Sequence, residues 1–185
     1  MGERFRDRSY GSAAHPYRTL EREVARHVTA GDVVMDAGCG RSAPVLSEMR
    51  GKAGRLIGVD LVEFPAKVEG VELYNWDLGA LQLPDATVDV IYSRSVMEHI
   101  EHPSAVFSEM HRVLKPGGHF IFLTANKWDY ASVIASIVPN RLHPRIVRHT
   151  EGRPEEDVFP TQYKINTHGD ISRLARAHHF AIADF

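Results

Sequence analysis

The feature that most constrains this chain is a turn, Asp36-Ala37-Gly38-Cys39-Gly40, set directly after the apolar run Val33-Val34-Met35. A short apolar run opened by Gly31-Asp32 and closed by glycines suits a buried parallel strand that passes sharply into a helix. Glycine serves such a turn because, without a Cβ, its backbone takes positive φ and lets a ligand approach closely. The rest of the chain alternates in the same way. Residues 17–28 put Leu20, Val24 and Val28 on one helical face, and a helix over residues 44–49 is predicted after the turn. Residues 56–59, 71–74, 88–92 and 119–123 read as further strands. Residues 104–114 carry Val106, Phe107, Met110, Val113 and Leu114 at helical spacing and stop at Lys115-Pro116-Gly117-Gly118. A helix over residues 170–178 and a sixth strand over residues 180–183 complete the pattern. Strands alternating with helices predict a single α/β domain, a doubly wound and mostly parallel sheet with helices on both faces.

Composition narrows the function classes. With 185 residues, 43% of them hydrophobic, the chain has apolar material for one core. Its 22 basic and 24 acidic side chains are well mixed, so no overall field favours a nucleic acid. No apolar run is long enough for a membrane span, and the opening Met1-Gly2-Glu3-Arg4-Phe5-Arg6 lacks the apolar stretch of a secretion signal, so a cytoplasmic location is expected. The single cysteine, Cys39, has no internal disulfide partner.

In doubly wound sheets ligands bind beyond the carboxyl ends of the strands, where strand order reverses. Asp60 closes the second strand about twenty residues after the turn, where its carboxylate could accept both hydroxyl hydrogens of an adenosine ribose. Asp77, in Asn75-Trp76-Asp77-Leu78, follows the third and could accept from an adenine amino group. Two ligand classes remain open. Ala43 stands at the last small position of a Gly-x-Gly-x-x-Gly/Ala fingerprint, which would make the chain an NAD-dependent oxidoreductase. Against this, Asp36 sets a negative charge beside the place of a pyrophosphate, where a ligand with an ammonium group fits better. For each aspartate alone, capping a turn or helix is the other role.

The motifs Val33 to Gly40, Gly58-Val59-Asp60-Leu61, Trp76-Asp77-Leu78, Leu83-Pro84-Asp85 with Asp89-Val90-Ile91, Ser95 to Ile100, and Arg112 to Gly118 resemble, in order, those of class I S-adenosylmethionine-dependent methyltransferases. The likeness covers residues 31–125 and is similar to the small-molecule, lipid and glycan group that includes ubiquinone-pathway enzymes. One position departs from the pattern: Ser42 stands where the family usually has its third glycine. The resemblance implies a Rossmann-like fold and S-adenosyl-L-methionine as cofactor. Asp36, Ala37, Gly38, Cys39 and Gly40 would border its methionine part, Asp60 and Leu61 the ribose side, Asp77 and Leu78 the adenine, and Ser93 the sulfonium. It implies residues 1–30 as an N-terminal cap helix, 31–125 as the cofactor-binding core, 126–168 as a substrate-side insertion and 169–185 as the last helix and strand.

Glu98 and His99 are the catalytic candidates. Methyl transfer is an in-line displacement, so a neutral acceptor loses a proton, and a histidine is a suitable base at neutral pH; packing beside the cofactor is the other role for His99. Cys39 has no base near it in sequence and reads as a small filler. The 11 histidines lack acidic or cysteine partners at ligand spacing, so no metal is expected. For the acceptor, residues 10–18 and 128–164 are the candidate walls. The second carries the apolar residues 133–138, the cations Arg141, Arg145, Arg148 and Arg153, and residues 159–163 as a lid. A small-molecule, lipid-linked or glycan acceptor fits such walls, and a homodimer is allowed for. The family's final antiparallel strand, inserted beside the fifth, has no residues here, which keeps a catalytically inactive cofactor-binding or scaffold module as an alternative.

Overall fold

The structure, a computed structural model, describes residues 15–126 and 160–185. Its elements are α1 (Pro16–His27), β1 (Val33–Ala37), α2 (Pro44–Glu48), β2 (Arg55–Asp60), β3 (Glu72–Asn75), β4 (Val88–Arg94), a single 3-10 turn (Met97–His99), α3 (Pro103–Val113), β5 (Leu114–Leu123) and α4 (His168–Ala177). Each of α1, α2 and α3 starts with proline, whose missing N–H lies where a helix has no acceptor for it. Thr167 caps α4 by accepting from Asp170 N at 3.1 Å.

The five strands form one parallel sheet in the order β3-β2-β1-β4-β5. Alternate side chains enter two separate cores. Met35, Ala37, Ile57, Val59 and Ile91 pack with Val106, Phe107, Met110 and Val113 of α3. On the opposite face Val34, Leu56, Val90 and Tyr92 pack with Leu20 and Val24 of α1 and Leu46 of α2. The result is the expected three-layer α/β arrangement, with strand order reversing between β1 and β4. No helix among the described residues is long and apolar enough to cross a membrane.

The structure corrects two sequence expectations. β5 starts at Leu114, which pairs with Val88, but the register shifts before His119 pairs with Val90, so residues 115–118 form a bulge within the strand. Gly117 takes φ +82° there, and a Cβ on Gly118 would come within 2.8 Å of Asp89 O, so glycines make the detour. Residues 180–183 form no strand. A strand needs a neighbour, and among the described residues none lies beside them; Phe180 instead sets its ring against Phe107, Phe120 and His111. The apolar stretch 133–138 and the cations of residues 141–153 fall outside the described residues.

Candidate functional site

The glycine turn stands at the reversal point. Gly38 N and Cys39 N both donate to Val59 O, at 2.8 and 3.2 Å, and Gly40 N donates to Asp60 Oδ2 at 2.7 Å, so the end of β2 holds the turn open. Gly38 (φ +94°) and Gly40 (φ +68°) both need glycine for conformation but face different surroundings. A Cβ on Gly38 would lie 2.2 Å from Val96 Cγ2, whereas one on Gly40 would meet nothing within 4 Å. The open side of the turn is therefore at Gly40. Ala43 adopts the left-handed conformation (φ 41°) immediately before α2, which is where a third small residue is wanted. Cys39 is buried against Gly58, and burial, then the nearby Asp36 and Asp60 charges, pushes its thiol pKa far up, which leaves it inert.

Beneath the turn lies a buried polar pair. Asp36 is 4% exposed, and its register partner across the β1–β4 ladder is Tyr92, 1% exposed, on the same face of the sheet. Asp36 Oδ1 and Tyr92 Oη are both sealed, and neither has a hydrogen-bond partner. Such groups are rarely left so, because an unsatisfied buried polar atom costs about 1–3 kcal/mol. Burial pushes the Asp36 pKa up to about 7; the adjacent Tyr92 hydroxyl and Arg94 guanidinium pull the other way, and the Asp60 charge adds to the rise. The hydroxyl is thus close enough to act on the carboxyl without a completed hydrogen bond. Arg94 sits 4.7 Å over the Tyr17 ring and donates to Glu21 at 3.4 Å, while Tyr17 Oη is 3.3 Å from Ser95 Oγ. Through these contacts α1 forms a wall beside the tip of β4. Tyr92, Arg94 and Tyr17 were not singled out from sequence, because their roles depend on cross-strand register and helix docking.

At the next tip Asp60 accepts from Gly40 and, through Oδ1, from Val62 N at 3.1 Å; each oxygen retains acceptor capacity. Leu61 beside it is 58% exposed, a large apolar surface left to water. Asp77 lies two residues past the end of β3, exposed, and accepts from Gly79 N at 2.7 Å, so it makes the turn contact expected of an aspartate there and keeps a second oxygen. Leu78 is buried in the α3-side core. The loop that carries both is anchored by Arg112, which donates to the carbonyls of Leu81 and Leu83 and to Glu109 and Asp85.

Ser93, fully buried, donates to Ala37 O at 2.7 Å, tying β4 to β1. Glu98 is also buried: its Oε2 accepts from Thr124 Oγ1 at 3.1 Å, and Thr124 accepts in turn from Asn166 Nδ2 at 3.0 Å. The Glu98 carbonyl accepts from Gln162 N and Tyr163 N at 2.7 and 3.2 Å, and His99 Nδ1 lies 3.2 Å from Pro160 O. Residues 160–163 therefore dock across the Glu98-His99 turn. Because a carbonyl only accepts, His99 Nδ1 carries the proton in that contact, and in the neutral ring the lone pair sits on Nε2. The structure thus groups Asp36, Ala37, Gly38, Cys39, Gly40 and Asp60 at one turn, while Glu98 is committed to internal contacts. Two clefts elsewhere, about 500 Å³ by Arg50 and Gly70 and about 760 Å³ along residues 64–74, lack this grouping.

Residues 35–122 match the model of a methyltransferase domain. A probable S-adenosylmethionine-dependent methyltransferase of Mycolicibacterium smegmatis is 37% identical over 112 residues, 57% of this chain and 42% of that protein. The ubiquinone biosynthesis O-methyltransferase of Pseudomonas putida is 34% identical over 119 residues, 58% of this chain and 50% of its own. The chain thus spans about half the length of these curated relatives. Among solved structures, an S-adenosylmethionine-dependent methyltransferase from Mesorhizobium loti matches with TM-score 0.53 and 27% identity over 63% of this chain and 54% of that one. The Burkholderia thailandensis 1,6-didemethyltoxoflavin-N1-methyltransferase, solved with S-adenosylhomocysteine, matches in fold with TM-score 0.64 and 20% identity over 90% of this chain and 68% of that one.

Proposed function

We propose that this chain, whose residues 35–122 match a methyltransferase domain, is a class I S-adenosylmethionine-dependent methyltransferase that binds S-adenosylmethionine at the glycine turn and methylates a small-molecule acceptor. The observation that carries this reading is the buried Asp36 carboxyl, whose Oδ1 makes no hydrogen bond, beneath a turn whose open side is Gly40. A carboxyl in that place is a poor neighbour for a pyrophosphate and a good one for the ammonium of an amino acid, which argues against the nicotinamide alternative. The donor set suits the rest of the ligand. Asp60 has acceptor capacity for two ribose hydroxyls, Leu61 offers apolar surface to a purine face, and Asp77 keeps an oxygen for an exocyclic amino group.

When bound, the cofactor supplies an electrophilic methyl group on a sulfonium. The residues of this chain supply position and proton handling. The turn and the tips of β1 and β4 fix where the methyl group is presented, and alignment of the two reactants accounts for much of the acceleration. Glu98 acts as a positioning residue, holding residues 160–163 through its carbonyl and Thr124 through its carboxylate. His99, whose Nδ1 faces Pro160 O, is the residue read as the base that takes the acceptor's proton. Residues 160–163 and the α1 wall flank this end of the sheet. The small-molecule class follows the ubiquinone-pathway relative; lipid-linked and glycan acceptors are the narrower variants, tested with the same protein.

Calorimetric titration is expected to give binding of S-adenosylhomocysteine and none of NADH; the reverse overturns the reading. Methyl transfer to a panel of phenols and amines is expected from the intact protein, and binding without transfer to any acceptor in cell extract would favour the inactive module. His99→Ala is expected to lower turnover about a hundredfold or more, the range of general base catalysis, with S-adenosylhomocysteine affinity nearly unchanged. An equal loss in both, or no loss, removes His99 as the base.

A further inference from the structure

Asp36 and Tyr92 are each other's unused partners. They are paired in the ladder, they point to the same face, and each carries a sealed atom without a hydrogen bond. A hydroxyl donates as well as accepts, so one small rotation would let Tyr92 serve a carboxylate. We propose that Tyr92 is a positioning residue for the methyl donor: its hydroxyl donates to Asp36 Oδ1 whenever that carboxyl is ionised, so that less work is needed for the carboxyl to meet a cationic amino group at the glycine turn in its ionised form. This rests on the cofactor reading above.

The surroundings of Asp36 support this role. Tyr92 and Arg94 face it from β4, Asp60 from β2 and Cys39 from the turn. From α1, Glu21 reaches this group only through Arg94, and Leu20 and Val24 supply apolar cover. Cys39 stays neutral, so the charge balance there is two acids against Arg94. With its pKa pushed up to about 7 by burial, Asp36 is largely protonated below that pH in the free protein. Binding of a cation then breaks the Asp36 O–H bond; the proton leaves to solvent and the oxygen keeps the electron pair. The carboxylate so formed accepts the Tyr92 O–H and compensates the ligand's positive charge. A phenylalanine at position 92 preserves the packing and removes the donor.

The test is titration of the whole chain with S-adenosylhomocysteine between pH 6 and 8.5, in buffers of different ionisation enthalpy. The wild-type protein is expected to release most of one proton per ligand at pH 6 and almost none at pH 8.5, with affinity rising through pH 7. For Tyr92→Phe the rise is expected about one pH unit higher, as loss of one hydrogen bond to a charge implies. Affinity then falls about fivefold at pH 7 and stays within about twofold at pH 8.5. Asp36→Asn is expected to release no proton in this window, and adding Tyr92→Phe to it to shift nothing. A uniform loss at every pH, or an unmoved profile, means that Tyr92 only packs, and overturns the inference alone. Absence of binding at every pH overturns the methyl-donor reading instead. Melting of the free protein then decides Tyr92 separately: the pH-dependent fall in melting temperature must extend to higher pH in Tyr92→Phe, and an unchanged fall overturns the pairing.

Discussion

A methyl group added to Gly38 would lie 2.2 Å from Val96 Cγ2, a separation that real side chains do not tolerate, while the same group on Gly40 would meet open space. Gly38→Ala is therefore expected to destabilise the fold by about 2–4 kcal/mol, combining overpacking with a left-handed backbone, and Val96→Ala should recover part of it. Gly40→Ala should cost only the backbone penalty of about 1 kcal/mol yet remove most cofactor affinity. Denaturant midpoints set beside calorimetric affinities separate the two; a Gly40→Ala protein that binds normally would move the ligand away from the turn. In sequence both residues have the same meaning, a turn that admits positive φ. Their difference comes from Val96, far along the chain. Arg112 is similar: it reads as the basic end of a helix, and only the fold shows it gripping the Leu81 and Leu83 carbonyls.

The elements that sequence periodicity marks best are those with one apolar face, and α1 is the plainest, its Leu20 and Val24 being the residues that the structure buries. Leu20→Ala should lower stability by about 2–5 kcal/mol, read from the shift of the denaturant midpoint, and a change under about 0.5 kcal/mol would mean that α1 is not docked. The five strands were legible because β-branched runs bounded by glycine and proline have few other uses in a chain of this kind. The sixth was not, since residues 180–183 have strand-like composition but no strand to pair with among the described residues. The start of β5 was misjudged for the opposite reason: Leu114 pairs ahead of a glycine detour that reads as a break. Within the site, the aspartates and glycines at strand ends are visible in sequence as local signals. Tyr92 and Arg94 read only as members of a strand, and the contacts of Glu98 with Thr124 and residues 160–163 join segments far apart in sequence.

For the whole molecule, the ionisable groups divide into opposing sets. Glu72, hydrogen-bonded to Arg55 and held down to about pH 2, contributes stability that is present above its unfolded pKa and lost as pH falls toward that value. Its exposure keeps this contribution small. Glu109, held down chiefly by Arg112, acts in the same direction. His119, lowered by burial and then by His27, also loses stability on acidification, below the ordinary histidine range. Asp36 has the other sign: from about pH 4 to 7 the native state keeps a proton that the unfolded chain has released, so stability falls as pH rises through that window. The melting temperature of the free protein is expected to peak between about pH 4 and 5, where the paired carboxylates are still ionised and Asp36 keeps most of its contribution, and Asp36→Asn should flatten the decline toward pH 8. A wild-type maximum above pH 8 would show that Asp36 is ionised in the free fold.

Of the strands among the described residues, the one at the centre of the sheet is the first to be made. Val33, which donates to Asp89 Oδ2, precedes it by 56 residues, and at about 5–20 residues per second a ribosome needs about 3–11 s to bridge that gap. During this interval β1 can close only its β2 side, leaving Met35 and Val34 without half of their final cover. Newborn chains of this kind pass through a sticky, half-zipped stage on every round of synthesis, and variants that delay the arrival of β4 should depend most on chaperones.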